Sequence, residues 1–145
     1  MVLSPVQTGR DYASRSRSRC LSQAKQLVTA TLIYAADHGD YLPSGEWNGA
    51  IESYHRNPKL LRCPVDEKAS YGYAMNAHLL GAKLPSDPEL AMIFDTDIPG
   101  PDAVSAHVRP LADGRHAGKV MVGYADGHVK MLPDRQAATV RTRPR

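Results

Sequence analysis

His116 and Asp126, with Gly127 beside it, are residues whose types could make an acid–base pair in this 145-residue chain. An imidazole serves as a general base when a carboxylate orients it, and the two groups must then lie within about 3 Å of each other. Nine residues separate His116 from Asp126. If that stretch runs extended, at roughly 3.3 Å per residue, its ends lie about 33 Å apart. The spacing therefore speaks against a His116–Asp126 dyad. Asp126-Gly127 reads as turn chemistry instead, and His116 as a hydrogen bonder where a strand begins, with subunit contact as its functional alternative.

Other constellations are weaker. Asp95-Thr96-Asp97, with Gly100 and Asp102 close behind, offers hard oxygen ligands of the kind calcium takes. The spacing is not that of an EF-hand loop, and Pro99 and Pro101 restrict the backbone, which favours loop solvation or capping over calcium at Asp95 and Asp97. A small metal-dependent hydrolase built on Asp95, Asp97 and His116 ranks last among the functional readings. The histidines at 38, 55, 78, 107, 116 and 128 contain no HExxH or other zinc spacing. GxSxG, Walker A and paired-carboxylate patterns are missing too. The chain is thus expected to be no enzyme and to need no cofactor. Cys20 and Cys63 are too few for an all-cysteine zinc site and form no CxxC; they pair in an oxidising compartment or stay as two thiols in a reducing one.

The elements that must position these residues are a helix and a hairpin. Ser4-Pro5-Val6-Gln7 carries an N-cap, a proline for the first helical position and a capping-box glutamine. Cys20, Leu21, Ala24, Leu27, Val28, Thr31, Leu32 and Ala35 then follow the three-and-four spacing of one helical face, and Gly39 and Pro43 end it. Asp11 to Arg19 carries no such stripe, so a helix there has nothing of its own to pack against. Trp47, Ala50, Ile51 and Tyr54 suggest a short helical turn, closed by Asn57-Pro58. Ser70–Asn76 and Ala91–Asp95 read as strands. Val120–Ala125 and His128–Leu132 flank Asp126-Gly127 as a hairpin. A two-residue turn would set Ala125 opposite His128, and would gather Val120, Val122, Tyr124, Val129 and Met131 on the face that covers the helix. The expected fold is α+β: one long N-terminal helix on a small antiparallel sheet. Residues 1–19 are expected as an exposed helix stub or frayed leader, 20–133 as the globular domain and 134–145 as a disordered basic tail.

The chain is long enough for one core and too short for two comfortable ones. Its basic residues cluster at the ends, at Arg10, Arg15, Arg17 and Arg19 and again at Arg135, Arg141, Arg143 and Arg145. Such ends attract nucleic acid or anionic lipid, which makes a small nucleic-acid-binding protein the alternative function. Only Tyr12 interleaves with the first cluster, so the stacking platform such a protein uses is lacking.

In order along the chain stand Arg19-Cys-Leu-Ser-Gln-Ala-Lys-Gln-Leu27, Leu32-Ile-Tyr-Ala-Ala-Asp37, Tyr41-Leu-Pro43, Leu60-Leu-Arg-Cys-Pro64, Ser70-Tyr-Gly-Tyr73 and Phe94-Asp95, and finally His116 nine residues ahead of Asp126-Gly127. This series resembles prepilin-like proteins with a processing-associated H-x9-DG domain, of the type II secretion or type IV pilus kind, over about residues 4 to 132. The resemblance implies a pilin-like fold and a non-enzymatic structural subunit of a general secretion (type II) or surface-assembly system. It also implies other pilin-like subunits and the assembly machinery as partners. It places the domain in the periplasm or at the cell surface, anchored in the inner membrane by the first half of the helix. The cleavage site and apolar half-helix of that family are missing ahead of Pro5, so the sequence reads as starting just beyond the membrane span. In an exported chain Cys20 and Cys63 would form a disulfide pinning the loop to the helix, worth about 4 kcal/mol on the chain-entropy model.

Overall fold

The computed structural model describes residues 5–57, 60, 72–112, 116 and 118–144, with the side chains of the first helix described from Ser18 onward. That helix, α1, spans Pro5–Asp37. It begins at the proline whose fixed φ suits a first turn and ends in a turn at His38–Asp40, where Gly39 and Asp40 take φ of 65° and 69° and the Asp40 amide donates to the Ala35 carbonyl. Over the 20 residues from Ser18 to Asp37, the buried face carries Cys20, Ala24, Leu27, Val28, Ala30, Thr31 and Ala35. Six of these belong to the stripe its spacing predicts; Leu21 and Leu32 of that stripe are half-buried, and Ala30 is buried beside it. A second helix, α2 (Trp47–His55), seats Trp47 and Ile51 in the same core. Its start is capped from a distance: the Asn48 amide donates to Asp102 Oδ1 at 3.0 Å, and Trp47 Nε1 donates to the Ala103 carbonyl at 3.0 Å.

Five strands form one sheet in the order β3-β1-β2-β4-β5. They are β1 (Tyr73–Asn76), β2 (Ala91–Asp95), β3 (Val104–Ser105), β4 (Lys119–Tyr124) and β5 (Val129–Pro133). All neighbours are antiparallel except β3, which runs parallel to β1 with Met75 opposite Val104. The molecule is therefore α+β with an N-terminal helix, and its sheet is mixed where an antiparallel one is expected.

The hairpin corrects the expected register. Gly123 pairs with Val129 and Met121 with Met131, one residue away from the two-residue-turn alignment. The loop has three residues, because the Gly127 amide donates to the Tyr124 carbonyl and the Tyr124 amide to the His128 carbonyl. Gly127 takes φ of 99° and Asp126 does not turn left-handed, which makes a type I turn closed by a glycine bulge. A one-residue slip exchanges the faces of a strand. Met121, Gly123, Val129 and Met131 accordingly meet α1, whereas Val120, Val122 and Tyr124 turn to the opposite side.

That opposite side is a second core, with Ala74, Ala91, Phe94, Ala103, Val108 and Ala137. The segment closing it overturns the expectation of a disordered tail from residue 134. Asp134–Thr139 is a 3-10 helix with Ala137 buried. The Arg141 carbonyl accepts from the Ala91 amide, the Thr142 carbonyl accepts from Asn76 Nδ2 at 2.7 Å, and Arg141 Nη2 pairs with Asp87 at 2.8 Å. An apolar face that the sequence pattern assigns to the helix needs a cover of its own, and the C-terminal segment supplies it.

Candidate functional site

The chemistry-bearing residues meet where β2 ends, β4 begins and α1 passes. Asp95 closes a strand whose five residues are all buried. Its Oδ2 accepts the Met121 amide at 2.8 Å and lies 2.6 Å from His116 Nδ1. On the other side of the ring, His116 Nε2 lies 3.2 Å from Cys20 Sγ. A carboxylate beside Nδ1 favours the tautomer that keeps its proton there, in which Nε2 can accept from the thiol. Cys20, Asp95 and His116 are all at least 98% buried, with relative exposures of 0%, 2% and 2%.

Chemically this is the thiol–imidazole–carboxylate order that activates a nucleophile elsewhere. Here the thiol is fully buried and is held within the body of the domain. The network joins three separate elements through side chains whose desolvation is offset by mutual hydrogen bonding.

The other end of the motif holds the same helix. Lys25 of α1 donates its ammonium to the Gly127 carbonyl, and a Cβ at Gly127 would lie 3.2 Å from Leu32 Cδ1. Between the two ends, a Cβ at Gly123 would fall 2.4 Å from Val28 Cγ2, so only glycine lets the strand lie this close. His116 at Cys20, Gly123 at Val28 and Gly127 at Leu32 show β4 running along α1 in the same direction. The motif is a clamp of strand on helix.

Each expected site residue has a place in this arrangement. His116 is a hydrogen bonder just ahead of β4, as expected. Its burial removes it from subunit contact. Asp126 is exposed in the turn, where Oδ1 accepts the His128 amide at 3.0 Å and also pairs with the His128 ring. Burial pulls the Asp126 carboxyl upward, but the amide and ring of His128 outweigh it and hold it below the ordinary 3.8. Of the two acids weighed for calcium, the Asp95 carboxylate is directed to His116 and Met121, and Asp97 accepts from the Ala112 amide at 3.3 Å, the loop capping that the sequence favours there. Asp102, the other acid of that loop, caps α2. Among the described residues no three histidine, cysteine or carboxylate groups gather as metal ligands. Cys63 lies outside the described residues, so its expected pairing with Cys20 does too. Reasoning from the sequence missed Cys20 and Asp95 as the partners of His116. The available signal was an acid ending a wholly apolar strand, which needs a buried donor.

No protein-family model, curated protein or solved structure matches the chain.

Proposed function

We propose that this protein is a non-enzymatic structural subunit of a pilin-like assembly, of the type II secretion or surface-fibre kind, in which α1 is the spine and the sheet is the displayed body. The observation that carries the reading is the clamp: His116 at one end of the H-x9-DG motif meets Cys20 of α1, and the Gly127 carbonyl at the other accepts from Lys25 of α1. A second support is that α1 continues to Pro5, well beyond Cys20, the first buried residue among its described side chains. A body fixed on part of a longer helix suits a subunit that assembles through that helix, with like subunits and an assembly machinery as partners. In this reading the domain lies in the periplasm or at the cell surface and an apolar segment ahead of α1 anchors it. Among the described residues no helix is long and apolar enough to cross a membrane.

The thiol–imidazole–carboxylate order favours one rival, a thiol-dependent acyl-transfer enzyme. Alkylation of the reduced, folded chain with iodoacetamide, followed by peptide mapping, separates the two. The subunit reading expects Cys20 to react at least about 100-fold more slowly than in the denatured chain, and expects no turnover of chromogenic esters. Stoichiometric acylation of Cys20 by such an ester would contradict it.

A further inference from the structure

A pocket of about 320 Å³ opens between the end of β2 and the chain that continues from β3. It lies in a stretch, residues 97–112, that folds back on itself: Asp97 at its start accepts the Ala112 amide at its end, at 3.3 Å. Compact loops with adjacent ends hold their shape through their own packing. This one is also pinned along its length. Asp102 caps α2, the Ala103 carbonyl accepts both Trp47 Nε1 and the Met75 amide at 3.0 Å, and Val108 and Leu111 are buried. The Ser105 hydroxyl donates to the His107 carbonyl and accepts the His107 amide, which sets the course of the chain past β3. The pocket is thus formed before any ligand arrives, and binding there carries little ordering cost.

The lining divides by chemistry. Ile98, Val104 and Leu111 supply apolar surface, and Ile98 is 39% exposed. Arg109 and Asp97 bring opposite charges to the same pocket. The two do not pair with each other: Arg109 makes no hydrogen bond or ion pair among the described residues. Asp97 takes only the Ala112 amide there, and a carboxylate with two oxygens keeps room for further donors. Asp95, which also lines the pocket, is engaged by His116 and Met121. The full charges open to a ligand are therefore the Arg109 guanidinium and the Asp97 carboxylate.

We infer that this pocket binds a free α-amino acid with an apolar side chain. The Arg109 fork matches a carboxylate with two parallel hydrogen bonds. Asp97 takes the α-ammonium, and the side chain lies against Ile98, Val104 and Leu111. The volume is at the small end of the roughly 300–1,000 Å³ range of ligand sites, which suits a molecule of that size. A plain carboxylic acid would meet Arg109 but set a second negative charge before Asp97, and a plain amine would leave Arg109 without a partner. The zwitterion answers both. This inference is independent of the subunit reading, since no residue of α1 lines the pocket.

Isothermal titration calorimetry of the full chain with L-leucine, L-isoleucine, L-valine, L-methionine and L-phenylalanine, each in turn, tests it. At least one should bind saturably with a Kd below about 1 mM. Its amide, which lacks the carboxylate, and its N-acetyl form, which lacks the ammonium, should each bind at least about tenfold more weakly. Arg109→Met and Asp97→Asn should each weaken binding at least about tenfold as well. The asparagine keeps an oxygen for the Ala112 amide, so that variant removes the charge and leaves the loop closed. Lys130→Met, in the edge strand β5 at the other side of the sheet, should leave affinity unchanged. No saturable binding by any of these amino acids up to about 10 mM overturns the inference. So does binding that survives Arg109→Met or is lost in Lys130→Met. Equal binding of the N-acetyl form would make the ligand a peptide's C-terminal carboxylate and overturn the amino-acid assignment. None of these outcomes bears on assembly through α1.

Discussion

Beside the apolar contacts of Met121, Val129 and Met131, polar side chains and two glycines fix the strand on the helix, and several of them can be tested singly. Gly123→Ala puts a methyl 2.4 Å from Val28 Cγ2 and 3.2 Å from the Ile93 carbonyl oxygen. Overpacking of this kind costs about 1–3 kcal/mol, and urea unfolding should find the loss. Gly49→Ala is the control, since nothing lies within 4 Å of its new methyl and the site is helical. It should stabilise by up to about 1 kcal/mol. His116→Ala removes the ring between a buried carboxylate and a buried thiol, and should cost at least about 1–3 kcal/mol, the range for a buried acceptor that loses its donor, with more expected because the acceptor is a carboxylate. The turn gives a pH dependence. Because the Asp126 carboxyl is held below 3.8, its stabilisation is fully present above the unfolded value and is lost as pH falls through the lower folded one. Unfolding midpoints of the wild type and Asp126→Asn should therefore differ at pH 6 and converge well below pH 3.8. A difference that grows on acidification would reverse the sign of this account.

At the scale of elements, the C-terminal segment is the least expected part. Deleting residues 134–145 uncovers the second core and removes the Arg141–Asp87 pair and the Asn76–Thr142 bond. The melting temperature should drop by several degrees, whereas a disordered tail would be removable without effect. The helix was legible because its apolar spacing is strong over Cys20 to Ala35, and β2 because five buried residues stand between turn signals. The hairpin was legible as an element but not in register. Asp-Gly fits both a two-residue turn and a type I turn with a glycine bulge, and the choice between them exchanges the faces. The alternation there is ambiguous, since apolar residues occupy both faces of β4. Arginines and Asp134 hid the tail's packing, which rests on Ala137 and backbone hydrogen bonds more than on apolar periodicity. The buried relay was illegible for another reason: Cys20, Asp95 and His116 are joined across the chain, and no local spacing connects them.

The whole molecule is a helix with a body fastened to it at successive levels, His116 at Cys20, Gly123 at Val28 and Gly127 at Lys25 and Leu32. Cys20, Asp95 and His116, the polar groups that could have done chemistry, are used in that fastening. This fits a component that is built into something larger. Cross-linking in the producing cell tests this most directly. Ser18→Cys and Thr29→Cys place thiols at exposed positions on α1, and a short bis-maleimide then joins neighbouring helices. The account predicts a ladder of dimers and larger species that depends on the introduced cysteines. Monomers alone, at native expression and with both thiols shown to be labelled, would contradict it.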